Sequence, residues 1–386
     1  MPDSDPLDNC SVESHGTHVA GIVGGVSGIG SNVQWTGVAI EADIGMYRVF
    51  GCNGSTTTDV ITAAIFMAAE AGADVINLSI GGGPAFADDS DVVAADTVSK
   101  MGHIVVASAG NDGASGLFVT GNPGNGKSVI SVASFDNIDT VYSAAIIGGM
   151  RFAYTASNAN GSVGDGTTVW EVVVNNPLAV RNNILDDGCS NSTTLTNATG
   201  KALLIRWSSA CSSAIRCSNA FHNSNATLCI IYGNTQEIVP ILGTPLIPGI
   251  FLSQSGGLKL LSQATIQLTH QVIFQNLTTS GQVSSFSSGG LSLEGGFKPD
   301  IGGIGGSVLS CLSPFAVRAS GGNSQERDWG VLSGTSMAAP YISGVIALIL
   351  QARKMNSGTR VGVEELKDLL SNAAKPSSWL EKLEIL

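Results

Sequence analysis

Hydrophobic and polar positions alternate in a regular way over the first third of the chain. Short apolar runs predict strands near residues 44–50, 74–80 and 103–107, and segments of helical period predict helices near 59–71 and 90–101. A succession of strand, helix and strand indicates an α/β fold, in which helices cover both faces of a mostly parallel sheet. Ligands bind such sheets beyond the carboxyl ends of the strands.

Two loops rich in small residues follow these strands. They are residues 79–83 (SIGGG) and residues 108–111 (SAGN). Glycine and alanine let the backbone of a ligand approach closely. We therefore expect the two loops to line a binding cleft.

The pattern changes after the first third. Between about residue 152 and residue 270, short β-branched runs alternate with turns, and four of the seven cysteines of the chain lie there. This region predicts an inserted, mainly-β domain. The expected division of the chain is residues 1–150, the insertion at 151–275, and residues 276–386.

The last part of the chain contains a candidate nucleophile. The segment 341–353 has the small and aliphatic composition of a buried helix, and it follows the segment 333–340 (SGTSMAAP). Ser336 is therefore predicted at or near a helix N-terminus.

Composition and charge narrow the range of partners. The 386 residues are 43% hydrophobic, which is ample for a buried core, and 18 basic against 30 acidic side chains give a net charge of −12. An acidic chain of this kind argues against nucleic-acid and anionic-membrane partners. No uninterrupted apolar stretch reaches the roughly 18 residues of a membrane span. We expect a soluble monomer.

Cysteines and glycosylation acceptors point to a secreted protein. The seven cysteines include no CxxC pair, which favours disulfides over a zinc site, and the sequence leaves the pairing among Cys189, Cys211, Cys217 and Cys229 open. Asn-x-Ser/Thr triplets begin at several asparagines, and that of Asn77 lies inside an apolar run. The others begin at Asn9, Asn53, Asn160, Asn191, Asn197, Asn225 and Asn276. Residues 1–8 lack the basic and apolar regions of a signal peptide, so we expect the chain to continue upstream.

Three residue types in the chain could together perform nucleophilic catalysis. That chemistry needs a hydroxyl, a base and a donor for the oxyanion, and Ser336, His15 and Asn111 provide them. His15 and His18 share a helix face, which raises the alternative of metal binding. No HExxH arrangement or further Cys/His pair completes a ligand set, so no metal site is expected.

Four segments resemble the subtilisin-like serine proteases of peptidase family S8. The segments 15–21 (HGTHVAG), 108–111 (SAGN) and 334–340 (GTSMAAP) are similar to the three signature segments of that family, in the same order. The segment 75–81 (VINLSIG) resembles the strand edge on which the family lays its substrate. The resemblance covers about residues 1–145 and 280–375, and the insertion resembles a protease-associated domain. It implies a three-layer subtilisin-like fold.

The resemblance also implies roles for individual residues. Ser336 would attack the peptide carbonyl, His15 would act as general base and then acid, and Asn111 would hold the oxyanion. Protein or peptide substrates would bind along the cleft, with no required cofactor. Calcium would be a stabilising ion whose site the sequence does not place. The implied cleft residues are Ser79, Ile80, Gly81, Ser108, Ala109 and Gly110.

The catalytic aspartate of the family lacks a matching segment in this sequence. The family order is Asp, His, Ser, and only Asp3, Asp5 and Asp8 precede His15. None of the three is followed by glycine or preceded by a strand, so we interpret them as solvated loop carboxylates. The leading hypothesis is a secreted serine endopeptidase whose aspartate lies upstream. Its alternatives are an inactive homologue that binds extended peptides, and a binding module in which residues 152–270 dominate the function.

One segment matches a phosphate-binding motif in its residue types but not in its predicted secondary structure. Residues 121–128 (GNPGNGKS) match the P-loop, which requires a helix after the loop. The β-branched segment 129–133 predicts a strand there instead, which argues against nucleotide binding.

Overall fold

The computed structural model describes residues 14–28, 31, 33–52, 54–157, 163–175, 187–189, 195–319, 329–357 and 361–375. These residues fall into two compact units. The first reaches to Thr140 and resumes at Asn276, and the second runs from Val141 to Gln275. The expected boundary at residues 150 and 151 falls at the start of a strand of the second unit, Met150–Ala156.

The secondary-structure elements of the described residues are numbered in chain order. The strands are β1 Val75–Leu78, β2 Ile104–Ser108, β3 Ile130–Asp136, β4 Asp139–Ile147, β5 Met150–Ala156, β6 Val169–Val174, β7 Ala202–Arg206, β8 Leu228–Tyr232, β9 Gly249–Leu252, β10 Thr265–Asn276, β11 Ile301–Gly306, β12 Val308–Cys311 and β13 Trp329–Leu332. The helices are α1 His15–Gly24, α2 Thr58–Glu70, α3 Ser90–Lys100, α4 Ser213–Ser224, α5 Gln254–Leu261, α6 Pro314–Ala319, α7 Thr335–Ser357 and α8 Val363–Ala373.

The first unit is built on a parallel sheet with the strand order β1-β2-β3-β11. Alternate side chains of one strand face opposite sides of this sheet. Val105 and Ala107 of β2 pack with α2 and α3, whereas Ile104 and Val106 pack with α7 and α8. The predicted α/β fold with helices on both faces of a parallel sheet is therefore confirmed.

One predicted strand is wrong. Residues 44–50 form neither a helix nor a strand. The large side chains of Ile44, Met46 and Tyr47 are 47%, 39% and 36% exposed. An apolar run becomes a strand only when a neighbouring strand supplies hydrogen bonds, and within the described residues this segment has no such partner.

Helix α1 is held close to the β12–β13 pair by a glycine. A methyl group on Gly21 would lie 2.3 Å from Ser310 Oγ and 2.4 Å from Cys311 Sγ, so only glycine allows this approach. Val19 and Ile22 of the same helix pack with Met337 of α7. The second half of α1 is thereby packed against the first turn of α7.

Helix α7 is the central helix of the first unit. By length and mean hydropathy it could cross a membrane, and it is the one such helix among the described residues, although Ser336, Ser343 and Gln351 interrupt its apolar sequence. Its residues Ala338, Ile342 and Ile346 are buried against β2 and β3. Packing in the core accounts for its apolar character.

The second unit is a closed barrel with the strand order β10-β4-β5-β9-β8-β7-β6. Strands β6 to β9 pair in parallel, and β4 with β5, β5 with β9, and β6 with β10 pair antiparallel. One apolar cluster draws on all seven strands, and a second lies between β7, β8, β9 and helix α4. The unit thus has its own core.

The structure resolves the cysteine pairing that the sequence left open. Cys189 is bonded to Cys211, and Cys217 of α4 is bonded to Cys229 of β8. Cys52 of the first unit is also disulfide-bonded. The expectation of disulfides is confirmed.

A buried arginine cross-links the disulfide region of the second unit. The Arg216 side chain has no exposed surface, and its guanidinium donates to the carbonyls of Asp187, Ser208 and Cys211. The guanidinium carbon also lies 4.4 Å from the centre of the Trp207 ring. These contacts satisfy a charge that would otherwise be costly to bury.

Candidate active site

Ser336 occupies the first turn of α7, as predicted for a helix N-terminus. Helix α7 begins at Thr335, and Ser336 is partly exposed. Its Oγ lies 3.5 Å from the carbonyl oxygen of Ser79, while the Ser79 hydroxyl donates to the Ser336 carbonyl at 2.7 Å. The hydroxyl of Ser336 thus lies beside the loop that follows β1. Among the first-turn N–H groups, those of Thr335 and Met337 are hydrogen-bonded, and within the described residues that of Ser336 has no acceptor.

Asn111 is oriented by the residue that precedes the serine. Its Oδ1 accepts hydrogen bonds from the Thr335 N–H at 3.0 Å and from the Thr335 hydroxyl at 2.9 Å. Because the oxygen is occupied, the Nδ2 amide remains as a donor. A methyl group on Gly334 would lie 3.5 Å from Asn111 Nδ2 and 3.6 Å from the backbone nitrogen of Ser336, so both donors border the same small space.

His15 is the first residue of α1 and is half-buried. The contacts of α1 with α7 are made by Val19 and Ile22, which lie four and seven residues beyond His15, and by Met337. His15 retains contact with solvent, and its role as the base of Ser336 stays a prediction.

His18 is more deeply buried than His15. Its side chain has no exposed surface, and Nε2 lies 3.1 Å from the Val308 carbonyl and 3.2 Å from the Gly330 carbonyl. Two carbonyl neighbours require a proton on Nε2. Burial lowers the pKa of His18 to about 4. The two carbonyl contacts raise this pKa, but the effect of burial is larger. His18 is therefore neutral near pH 7 and joins α1 to the β12–β13 pair.

The six predicted cleft residues lie at the ends of two neighbouring strands. Ser79, Ile80 and Gly81 follow β1, and Ser108 ends the adjacent β2. Ser108 Oγ donates to the Ile80 carbonyl at 3.0 Å, which joins the two loops. Within the described residues no hydrogen bond engages the backbone of Gly81, which is exposed.

Ala109 and Gly110 contribute to the site from within the fold. Ala109 is fully buried, and its N–H and carbonyl bond to Val132 and Gly121. The Gly110 N–H donates to Thr335 Oγ1 at 3.2 Å. These two residues therefore hold the loop that carries Asn111.

Sequence reasoning missed three residues that support the serine. Asn77 Nδ2 donates to Ser79 Oγ at 2.9 Å, and Ser343 Oγ donates to Asn77 Oδ1 at 3.1 Å. Thr335 is the third, through its bonds to Asn111. A polar asparagine within the apolar strand β1 was the available signal, but Asn77 also begins a glycosylation triplet, which obscured it.

The P-loop-like segment is bound to carboxylates of α3. The N–H groups of Lys127 and Ser128 donate to Asp96 at 3.2 and 2.7 Å, and Asn122 Nδ2 donates to Asp91 at 2.7 Å. The segment leads into strand β3, as predicted. A phosphate in this loop would meet the carboxylate of Asp96 in place of free N–H groups.

The described part of the chain contains no group of three or more His, Cys, Asp or Glu side chains placed to hold a metal ion. Asp3, Asp5 and Asp8 lie outside the described residues, as do the acceptor asparagines Asn9, Asn53, Asn160 and Asn191.

Comparison with known proteins identifies the family. The model of the subtilase family, Peptidase S8, matches residues 2–383. The chain is 30% identical over 381 residues to the minor extracellular protease Vpr of Bacillus subtilis (strain 168), covering 97% of this chain and 43% of that protein. It is 27% identical over 378 residues to the PII-type proteinase of Lacticaseibacillus paracasei, covering 89% of this chain and 19% of that protein.

One similar solved structure is that of the psychrophilic subtilisin-like protease Apa1 from Pseudoalteromonas sp. AS-11. The alignment covers 94% of this chain and 78% of the Apa1 chain, at 18% identity and a TM-score of 0.48. The chain spans less than half the length of the two curated relatives named here. Its match to the family model nevertheless runs through both compact units. The chain belongs to the subtilase family, peptidase S8.

Proposed function

We propose that this chain carries the catalytic centre of a secreted serine endopeptidase that hydrolyses peptide bonds in proteins. The observation that carries the proposal is the double hydrogen bond from Thr335 to Asn111 Oδ1. It directs a side-chain amide toward the space beside the Ser336 backbone nitrogen. A pair of fixed N–H donors next to a hydroxyl is the arrangement that stabilises the oxyanion of acyl transfer.

We propose that the reaction uses the Ser336 hydroxyl as nucleophile, with His15 as its predicted base. Ser336 Oγ attacks the peptide carbonyl carbon while His15 takes the hydroxyl proton, and the Asn111 amide and the Ser336 N–H stabilise the oxyanion that forms. When the tetrahedral intermediate collapses, the C–N bond breaks and His15 gives its proton to the leaving amine. A water molecule then attacks the acyl ester, with His15 again as base, and releases the carboxylic acid and the free serine.

The third member of the triad is proposed to be an aspartate on a further strand beside β1. Within the described residues β1 lies at the edge of the sheet and pairs only with β2. The segment 44–50 displays exposed apolar side chains and has no strand partner in the described part of the chain. One additional strand could satisfy this edge, and its carboxyl end would lie on the same side of the sheet as Ser79 and Ser108.

The substrate is proposed to bind as an extended strand against the loop after β1. Gly81 supports this mode, because it is exposed and its backbone is not engaged by other described residues. Backbone pairing of this type gives affinity with little dependence on sequence. Secretion is supported by the disulfides in the structure, and the second unit is proposed to correspond to a protease-associated domain.

Labelling with a fluorophosphonate probe tests the proposal, because the probe reacts with an activated serine. The full-length gene product, this chain alone and the Ser336→Ala variant of each would be compared, with circular dichroism to establish folding. Labelling of the full-length protein that disappears in Ser336→Ala supports a serine endopeptidase. A folded full-length protein that is not labelled would instead indicate an inactive homologue, and binding of extended peptides would then be measured directly.

A further inference from the structure

Five large apolar side chains are exposed on three loops of the first unit. We name this set the apolar surface: Phe86, Leu117, Phe118, Leu293 and Phe297, with exposed fractions of 56%, 72%, 46%, 40% and 90%. Single exposed apolar residues are ordinary on a protein surface, but contiguous groups of them mark binding sites.

Hydrogen bonds bring the three loops together. The Ala87 N–H donates to Glu294 Oε1 at 3.0 Å, which joins the loop of Phe86 to that of Leu293 and Phe297. The Val119 N–H donates to the Gly289 carbonyl at 3.2 Å. A methyl group on Gly289 would lie 3.7 Å from Leu117 Cδ2, so the loop of Leu117 and Phe118 also borders the 289–297 loop.

The apolar surface is continuous with the proposed substrate cleft. Pro84 forms a β-bridge with Gly121, two residues beyond Val119. The Gly82 N–H donates to Asn122 Oδ1 at 2.8 Å, and a methyl group on Gly81 would lie 2.8 Å from the Asn122 carbonyl. The loop that follows β1 therefore runs from the side of Ser336 directly to Phe86.

The backbone of the surface is strained at one aromatic residue. Phe118 has a φ of 63°, in the left-handed region that bulky residues rarely occupy. The Val119 N–H bond to Gly289 fixes the chain next to it, and the Phe118 side chain remains exposed. Strain of this kind persists where the surrounding structure holds it, and it is concentrated at functional sites.

The charge on the three loops of the apolar surface has one sign. Four carboxylates on or beside the same loops are exposed, and they are Asp88, Asp89, Asp112 and Glu294. The segments 84–89, 112–121 and 286–297 contain no lysine or arginine. The nearest lysine along the chain, Lys298, is 9% exposed and its ammonium group is bonded to Asp300 and to the Val129 carbonyl.

We infer that the apolar surface binds the substrate polypeptide beyond the cleft and selects segments that combine apolar with basic side chains. Its apolar centre offers burial to aliphatic and aromatic side chains, and the carboxylates around it attract lysine and arginine. This inference rests on the proposed endopeptidase function and names the class of substrate that the site would prefer.

The test compares two long internally quenched peptides in the full-length protein. They share the cleaved residues, and one carries Leu, Phe and Arg in its flanks where the other carries Ser and Gln. The measured quantity is the ratio of kcat/KM for the first peptide to kcat/KM for the second. We expect Phe297→Ser and Leu117→Ser each to lower this ratio roughly tenfold, because each removes a large apolar contact.

Two further variants provide the control and the electrostatic test. Phe274→Ser removes a phenylalanine of the second unit that is 57% exposed, and it should leave the ratio at the parent value. Asp88→Asn should lower the ratio, and added salt should lower it in the parent but less in Asp88→Asn. An unchanged ratio in Phe297→Ser and Leu117→Ser would overturn the inference.

The outcomes separate this inference from the proposed function. If the parent is not labelled by a fluorophosphonate, the proposed function fails, and the binding of both peptides by fluorescence anisotropy then tests the apolar surface alone. Equal anisotropy affinities for the two peptides would reject the surface in that case. If Phe297→Ser instead converts a dimer to a monomer in analytical ultracentrifugation, the occupant is a second copy of the chain and the inference is wrong.

Discussion

Asn111 uses the two atoms of its side-chain amide for different tasks. The oxygen anchors the residue to Thr335, which lies 224 positions away in the sequence, and the nitrogen is left for the proposed oxyanion. The local sequence contexts of His15, Asn111 and Ser336 predict these residues as the catalytic groups, and their roles stay a prediction. The anchoring by Thr335 and the support of Asn77 by Ser343 could not be predicted, because both depend on contacts between distant parts of the chain.

The substitution Asn111→Asp separates these two tasks. The carboxylate keeps an oxygen to accept from Thr335, but it replaces the amide donor with a second negative oxygen near the proposed oxyanion. We expect kcat to fall by at least the roughly 10² to 10³-fold that follows loss of one oxyanion donor, with KM nearly unchanged. Steady-state kinetics on a peptide substrate would measure both constants.

Asn137→Asp is the matched control for this substitution. Asn137 Oδ1 also accepts a backbone hydrogen bond, from the Ile138 N–H at 2.8 Å, and it lies in the turn between β3 and β4. Its kcat should stay at the parent value. A similar decrease in both variants would contradict the role of the Asn111 amide.

The burial of His18 predicts a dependence of stability on pH. Its pKa is about 4 in the folded protein and near 6.5 in the unfolded chain, so the unfolded state binds the proton first as the pH falls. The free energy of unfolding should therefore decrease between pH 6.5 and pH 4, by roughly 3 kcal/mol for this group.

Urea unfolding at pH 7 and pH 4 measures this effect in the parent and in His18→Gln. Glutamine keeps an N–H donor for the Val308 and Gly330 carbonyls but does not titrate. The decrease between the two pH values should be smaller in His18→Gln by roughly the amount assigned to the imidazole. Identical decreases would show that His18 does not titrate differently in the folded and unfolded states.

At the scale of elements, local patterns predicted helices and paired strands better than they predicted isolated extended segments. Helices α2 and α3 and strands β1 and β2 lie within a few residues of the predicted positions, because each is specified by its own period. The strand predicted at 44–50 was wrong because strand formation depends on a neighbouring strand. Closure of the barrel through the β10–β4 and β10–β6 pairs and the pairing of four cysteines also depend on distant neighbours.

The disulfide between α4 and β8 should contribute strongly to the stability of the second unit. Cys217 and Cys229 are fully buried and 12 residues apart in sequence. Closing such a loop restricts the unfolded chain, so replacing both cysteines with alanine should lower the free energy of unfolding by about 2–4 kcal/mol. Cys311→Ala, in the first unit, is the control for loss of a sulfur. Guanidinium unfolding followed by the fluorescence of Trp207 would report the change, and equal midpoints for the parent and the double variant would contradict it.

At the scale of the whole molecule, two separate cores predict two unfolding transitions. The first unit has apolar clusters on both faces of its sheet, and the barrel has clusters of its own. Cooperative unfolding is a property of one core, so differential scanning calorimetry should resolve two transitions. The change in sequence pattern after the first third predicted an inserted domain, but the position of each core required the strand pairing.

Variants specific to each unit assign these transitions. Arg216→Met removes the buried guanidinium of the second unit and leaves carbonyls without donors, which should lower the stability of that unit by roughly 3–5 kcal/mol. His18→Gln at pH 7 removes an imidazole that joins α1 to β12 and β13 in the first unit. Each variant should shift one transition and leave the other in place. A shift of both transitions by either variant would mean that the two cores unfold as one cooperative structure. The stability of the proposed catalytic centre would then depend on the barrel as much as on its own sheet.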